Sequence, residues 1–304
     1  MRTKMKKYLI ISIDTEGDNL WSVSDIKQRI TTYNAKFLFR FQELCEKYEF
    51  KPTYLTNYEM ATDEIMVEFG REGIKKGTLE IGAHEHAWNQ PPLYKIMKRP
   101  GKRGKPYLSE YPRAVIGQKL EYLTRTLEDS FQCSITSHRG GRWCLNTTIV
   151  GELSRLGYLV DCTCTPGVNW KANRGWSPFS KGTDWSTKQN EPYYLNLDGN
   201  PVLEVPVSIY DQRGSGKQSW LRPDLYNQNE MISLLQYIYD SEKDFAQFML
   251  HSSELMPGGS AIFTNAGKID YLYKTLDELF SFAKGLGFEA SGITDYAKNY
   301  ADAH

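Results

Sequence analysis

Apolar positions follow two rhythms along the chain: short unbroken runs, and longer stretches in which they recur every three or four residues. Residues 8–13 (Y-L-I-I-S-I) are the first run, long enough for one buried strand and far short of a membrane span. The stripe Ile30, Phe37, Leu38, Phe41, Leu44 and Cys45 predicts a helix, capped by Ser24 or Asp25 and running to about residue 49. Residues 53–56 predict a second strand, 63–76 a second helix closed by Gly77, and 79–83 a third strand. Further helices over 113–130, 146–156, 230–240 and 269–284 alternate with strands over 133–139, 158–165, 203–209 and 245–250. Gly157 and Gly285 close two of these helices, and residues 288–293 predict a short last strand. Two long segments, about 87–112 and 166–192, break the alternation. Loops of that length are lids, binding loops or disordered.

Strand and helix thus alternate about seven times with no Pro/Gly/Ser-rich linker between them, and no internal repeat is visible. The expectation is one α/β domain over 1–304 with a mainly parallel sheet. Polar clusters end nearly every strand, which favours a closed barrel over an open doubly wound sheet with a single switch point.

Composition narrows the function classes. With 37 basic and 37 acidic residues among 304, the chain carries no footprint for nucleic acid or an anionic membrane. Its 20 Tyr, 13 Phe and 7 Trp suit sugar stacking as well as core packing. Five cysteines without CxxC spacing predict reduced thiols in a cytoplasmic protein. The basic start M-R-T-K-M-K-K resembles that of a signal peptide. Its apolar run is short, lacks a small-residue cleavage site and ends in Asp14, so neither export nor membrane insertion is expected.

Candidate chemistry collects at strand ends. Asp14, Glu16 and Asp18 close the first run, and Asp14 and Glu16 share a face if the backbone stays extended. The same acids would also serve as an acidic turn capping the next helix. His84, His86, His138 and His251 sit at strand ends, and His304 is C-terminal. A lone histidine there is commonly a hydrogen-bonded structural residue. Four of them beside Asp14, Glu16, Arg139, Arg142 and Asp161 offer imidazole and carboxylate ligands for a divalent metal, with groups left for proton transfer. Glu254 reads as a substrate group or a turn cap. Arg142 and Trp143 read as binders of a carboxylate or sugar face, or as a roof on the core. Trp88, Trp170, Trp176 and Trp185 read as sugar platforms or as pins for the long loops. The basic stretch 95–105 reads as a phosphate or sugar-nucleotide attractor or as a solvated face.

Taken in order, five segments resemble the motifs of the polysaccharide deacetylases, the NodB-like family of carbohydrate esterases (family 4 type), and within it an intracellular branch. They are S-I-D-T-E-G, I-G-A-H-E-H-A-W, S-H-R-G-G-R-W, V-D-C-T-C-T-P-G-V-N-W and F-M-L-H-S-S-E-L, and they span nearly the whole chain. The resemblance implies a distorted (β/α)7 barrel and a divalent metal, zinc or similar. Two spacings depart from the family pattern. Its first motif has adjacent aspartates, whereas Thr15 separates Asp14 from Glu16. Its histidines sit four apart, whereas His84 and His86 sit two apart and Trp88 takes the four-later position.

Carried over residue by residue, the resemblance makes Glu16, His84 and His86 the metal ligands. Asp14 becomes the base, held ionised by Arg139, and His251 protonates the leaving amine. Asp161 orients His251 or another rim group, and Trp88, Arg142, Trp143 and Glu254 are substrate-side candidates. The implied activity is metal-dependent removal of an N-acetyl or related acyl group from a saccharide or polysaccharide precursor. Two alternatives stand beside it: hydrolysis of a small cyclic amide or other non-peptide C–N bond on the same fold, and a non-catalytic member that binds a glycan.

Overall fold

The computed structural model of the chain describes residues 6–21, 29–94, 104–195, 199–211, 214 and 216–303. The first apolar run forms β1 (Tyr8–Thr15), buried at every position after Tyr8. The proposed cap at Ser24 or Asp25 lies outside the described residues. Described helix begins only with a 3₁₀ segment, Tyr33–Phe37, which leads into α1 (Leu38–Lys47). Asp18 explains that late start: its carboxylate accepts the N–H groups of Tyr33 and Asn34, both at 2.8 Å.

After β2 (Thr53–Thr56) come the single turn α2 (Tyr58–Ala61) and α3 (Glu64–Lys76). Asp63 caps α3 by accepting from Met66 N, and Gly77 at φ 72° closes it. Next are β3 (Glu80–Glu85), α4 (Arg113–Phe131), β4 (Ser137–Gly140), α5 (Thr147–Leu156) and β5 (Val160–Asp161). Short strands β6 (Tyr193–Leu195), β7 (Val202–Glu204), β8 (Ile209–Tyr210) and β9 (Ser219–Trp220) precede α6 (Gln228–Asp240) and β10 (Phe245–His251). The chain ends in α7 (Ala266–Leu286), β11 (Glu289–Ser291) and α8 (Ile293–Ala303).

Three expectations shift. The strand expected over 133–139 begins only at Ser137, and those expected over 158–165 and 203–209 are shorter because side chains take over part of the ladder. Thr163 Oγ1 accepts Gly140 N–H at 2.8 Å, and Glu204 Oε1 accepts Cys164 N–H at 2.8 Å. α7 runs through Gly285 and closes at Gly287, φ 98°. α8 was not anticipated at all.

Strands β10-β1-β2-β3-β4-β5-β7 run parallel in that order. β6 lies antiparallel on β7, and β11 flanks the first residues of β1. The chain beyond β7 then returns to β10, with Ser208 N donating to Gln247 O and Gln247 N to Ser208 Oγ. So sparse a seam makes this the distorted (β/α)7 barrel the sequence resemblance implies. Ile10, Leu55, Val160, Leu203 and Phe245 fill the barrel floor, and Ile293, Tyr296 and Ala297 of α8 plug it from below. Each of those large apolar side chains contributes about 1.5–3 kcal/mol on burial. That dry floor carries the polar layer above it. The five cysteines are free, and no helix among the described residues is long and apolar enough to cross a membrane.

Candidate active site at the barrel mouth

Period two along β1 sends Ile10, Ser12 and Asp14 into the barrel. Ser12 and Asp14 meet Arg139, whose side chain is wholly buried. Arg139 donates from Nη1 to Asp14 Oδ1 (2.6 Å), from Nη2 to Ser12 Oγ (2.9 Å) and from Nε to Cys162 O (3.0 Å). With its amide turned so that nitrogen donates to Val205 O and Pro206 O, Gln247 accepts a further bond from Arg139 Nη2 at 2.7 Å. Burial alone would raise the Asp14 pKa, but Arg139, His84 and His251 outweigh it and hold the carboxyl below its usual range. Asp14 Oδ2, the oxygen Arg139 leaves open, faces His84 Nε2 at 3.9 Å and His251 Nε2 at 3.7 Å.

Glu16, His84 and His86 converge beside it, each buried, with their ligand atoms within 4.8 Å of one another. Glu16 Oε2 lies 2.6 Å from His86 Nε2 and 3.4 Å from His84 Nε2. His84 Nδ1 donates to Arg139 O at 2.9 Å, which leaves Nε2 as the atom facing the carboxylates. Burial opposes ionisation of Glu16, yet His86 and His84 hold it well below the usual carboxylate range. Burial pushes His86 down to about 4, so its ring is neutral at pH 7. At His84 the Asp14 and Glu16 charges overcome burial and raise the ring above its ordinary value. Trp21 Nε1 donates to Glu16 Oε1 at 2.7 Å, and its ring meets His86 edge-on.

On the far side, Glu254 Oε2 accepts the backbone N–H of His251 (2.9 Å) and Oε1 accepts from Arg222 Nη2 (2.9 Å). The same Nη2 sits 3.0 Å from His251 Nδ1. Glu254 is thus buried and fully engaged. It supports His251 from behind the ring.

Asp161 and His138 also depart from expectation. His84 pairs in register with Arg139, so the neighbouring His138 points to the opposite face of the sheet, together with Asp161 and Glu204. His138 Nδ1 lies 2.6 Å from Asp161 Oδ1, and its ring packs on Tyr158, whose hydroxyl meets Thr124 of α4. Asp161 therefore orients His138, outside the mouth, and not His251.

Trp88 is 9% exposed and packs behind His86 with ring centroids 4.5 Å apart, which takes it out of the substrate space. Arg142 (φ 56°) and Trp143 (φ 58°) occupy the left-handed region, a strain that clusters at functional sites. The Arg142 guanidinium lies 5.5 Å from the Trp21 ring and 5.0 Å from Tyr107, and the Trp143 ring covers Arg139 at 5.6 Å. Trp170 Nε1 donates to Thr165 Oγ1 and Trp185 Nε1 to Trp143 O, so these loop tryptophans pin the loop to the barrel. The basic stretch falls mostly outside the described residues, and Lys105 Nζ within it donates to Glu110 O. Ser12, Trp21, Arg222 and Gln247 complete the mouth although none was among the candidate site residues. For Ser12 the signal was parity with Asp14.

No family model matches the chain, and no curated relative does. Solved structures do match. One from Mycobacterium smegmatis, described as a polysaccharide deacetylase, aligns over 100% of this chain and 93% of its own at 15% identity, TM-score 0.61. The 4-alpha-glucanotransferase from Thermococcus litoralis aligns over 96% of this chain and 40% of its own at 13% identity, TM-score 0.55. At such identities the likeness is one of fold. The chain shares the distorted barrel fold of these structures.

Proposed function

We propose that the chain is a metal-dependent hydrolase that removes an N-acetyl or related acyl group from a saccharide. The observation that carries this reading is one buried carboxylate, Asp14, clamped by Arg139 beside the Glu16–His84–His86 group at a single barrel mouth. Two imidazoles and a carboxylate are a donor set that suits zinc and leaves a coordination position open. The backbone carbonyl on His84 Nδ1 is the support such a ligand ordinarily has. A divalent ion held there supplies Lewis acidity toward the acyl carbonyl and the water.

The chain's own residues do the rest. Arg139 occupies Asp14 Oδ1 and keeps the carboxyl ionised, so Oδ2 takes the proton of the attacking water. His251 aims Nε2 at the same space from the opposite side. Positioned proton transfer of this kind is worth about 10²–10⁴-fold. Trp21, 55% exposed above Glu16, offers an aromatic face of the sort that stacks on sugars. The test is hydrolysis of an N-acetylated sugar. Chelator should abolish it and zinc restore it. Activity that survives both EDTA and His84→Ala refutes the proposal.

A further inference from the structure

We propose that Arg222 is a positioning residue that fixes the neutral imidazole of His251 in its Nε2–H tautomer, so that Nε2–H faces the reacting group. The role in turnover rests on the hydrolase reading above; the tautomer itself does not.

A guanidinium only donates. Arg222 Nη2 lies 3.0 Å from His251 Nδ1, so Nδ1 must present its lone pair there. A neutral imidazole has one N–H, which then sits on Nε2, the nitrogen 3.7 Å from Asp14 Oδ2. Three charged groups face this ring: Arg222, Glu254 and Asp14. Glu254 is the competitor, because its Oε2 lies 3.4 Å from Nδ1. That oxygen already accepts the backbone N–H of His251 at 2.9 Å, and its twin accepts from Arg222 at 2.9 Å. Glu254 therefore holds Arg222 against the ring. A second proton on Nδ1 would set N–H against N–H.

Arg222 is well placed for this. Its neighbour Leu221 donates to Ser208 O and accepts from Met249 N, which ties the segment to β10 two residues before His251. Arg222 O accepts from Asn227 Nδ2 at 2.7 Å, just before α6. In hydrolysis, the water oxygen bonds to the acyl carbon and its proton goes to Asp14 Oδ2. When the C–N bond breaks, its electron pair stays on nitrogen, which takes that proton from Asp14. His251 donates a hydrogen bond throughout and keeps its proton, in place of protonating the leaving amine as the sequence resemblance implies.

The experiment is a long-range ¹H–¹⁵N spectrum of the full chain carrying ¹⁵N-histidine, with the His251 signals identified by their loss in His251→Gln. The expected wild-type pattern is a protonated Nε2 and an unprotonated, hydrogen-bonded Nδ1. In Arg222→Met the proton should move at least partly to Nδ1, toward Glu254, with the other histidine signals unchanged. A wild-type proton on Nδ1, or on both nitrogens, overturns the assignment, as does an Arg222→Met protein of native spectrum whose His251 pattern is unaltered. If Arg222→Met does not fold, the wild-type spectrum alone decides. A misplaced histidine proton costs up to about 10⁴-fold in a hydrolytic triad, so Arg222→Met should lower kcat at least ~10²-fold with KM within about threefold. A hydrolytically silent wild type with an Nε2–H His251 refutes the hydrolase reading and supports the tautomer.

Discussion

Replacing Arg139 with Met removes a buried cation while keeping most of its volume, and leaves Asp14 with no guanidinium. Arg139 is wholly buried and Asp14 is 3% exposed, so water cannot substitute for the lost partner. Breaking such a pair from one side costs about 3–5 kcal/mol. In a chain of this length each kcal/mol is worth roughly 2 °C, so the melting point should fall by about 6–10 °C. The loss should depend on pH in a definite direction. In the wild type the Asp14 pKa is depressed, and its stabilisation is present above the unfolded value and lost as pH falls through the folded one. Without Arg139, burial dominates and raises that pKa, so the contribution reverses: present at low pH and lost as pH rises. The gap between the two proteins should therefore narrow from pH 7 toward pH 4. Urea melts in EDTA isolate this effect from metal linkage. Asp14→Asn alone strands Arg139 instead, and the double variant should recover part of the summed cost. A single-variant loss below about 1 kcal/mol, a gap constant with pH, or strictly additive losses would refute the account.

The other expectations concern neighbouring parts of the barrel. His86→Ala should lower zinc affinity at least tenfold in a competition titration; unchanged affinity would remove His86 from the ligand set. Gly141→Ala would drive a Cβ into Glu85 O and to 2.6 Å from His86 Nδ1, so it should cost about 1–3 kcal/mol in thermal melts and weaken zinc binding. A native melt together with native affinity counts against that contact. Glu204, raised well above the usual carboxylate range by burial and by Asp161, is stabilising below its unfolded pKa and loses that contribution as pH rises through the folded one. Glu204→Gln should therefore gain on the wild type between pH 6 and pH 9, and a constant difference in urea melts over that range would contradict it.

The sequence carried the elements whose ends have local chemistry. Asp63 and Gly77 bound α3, and Asn146 and Gly157 bound α5, because a cap is a property of a few consecutive residues. The mouth residues Asp14, Glu16, His84 and His251 were legible for a related reason: each ends an apolar run. His138 and Asp161 were misplaced because a strand end shows which residues are near the rim but not which face they take. Parity could have settled it, since His138 and Arg139 are adjacent and cannot both point inward. Arg222 lies between β9 and α6 without periodicity, and only its distance to His251 in space gives it a role. α8 had a readable stripe in Ile293, Tyr296, Ala297 and Tyr300.

Parity also explains why Glu16, His84 and His86 form one coherent site. With one residue between them, Asp14 and Glu16 fall on the same inward side of the chain. Bringing the histidines to a spacing of two does the same on β3 and its continuation, where His84 and His86 both look inward past Glu85. Together they put Glu16 Oε2 within reach of both imidazoles, 2.6 Å and 3.4 Å away. Trp88, at the position the wider histidine spacing would have used, is left to pack behind His86 with Leu20 and Ile30. The cluster is held by β-strand alternation in two strands separated by β2, and the clamp on Asp14 comes independently from β4.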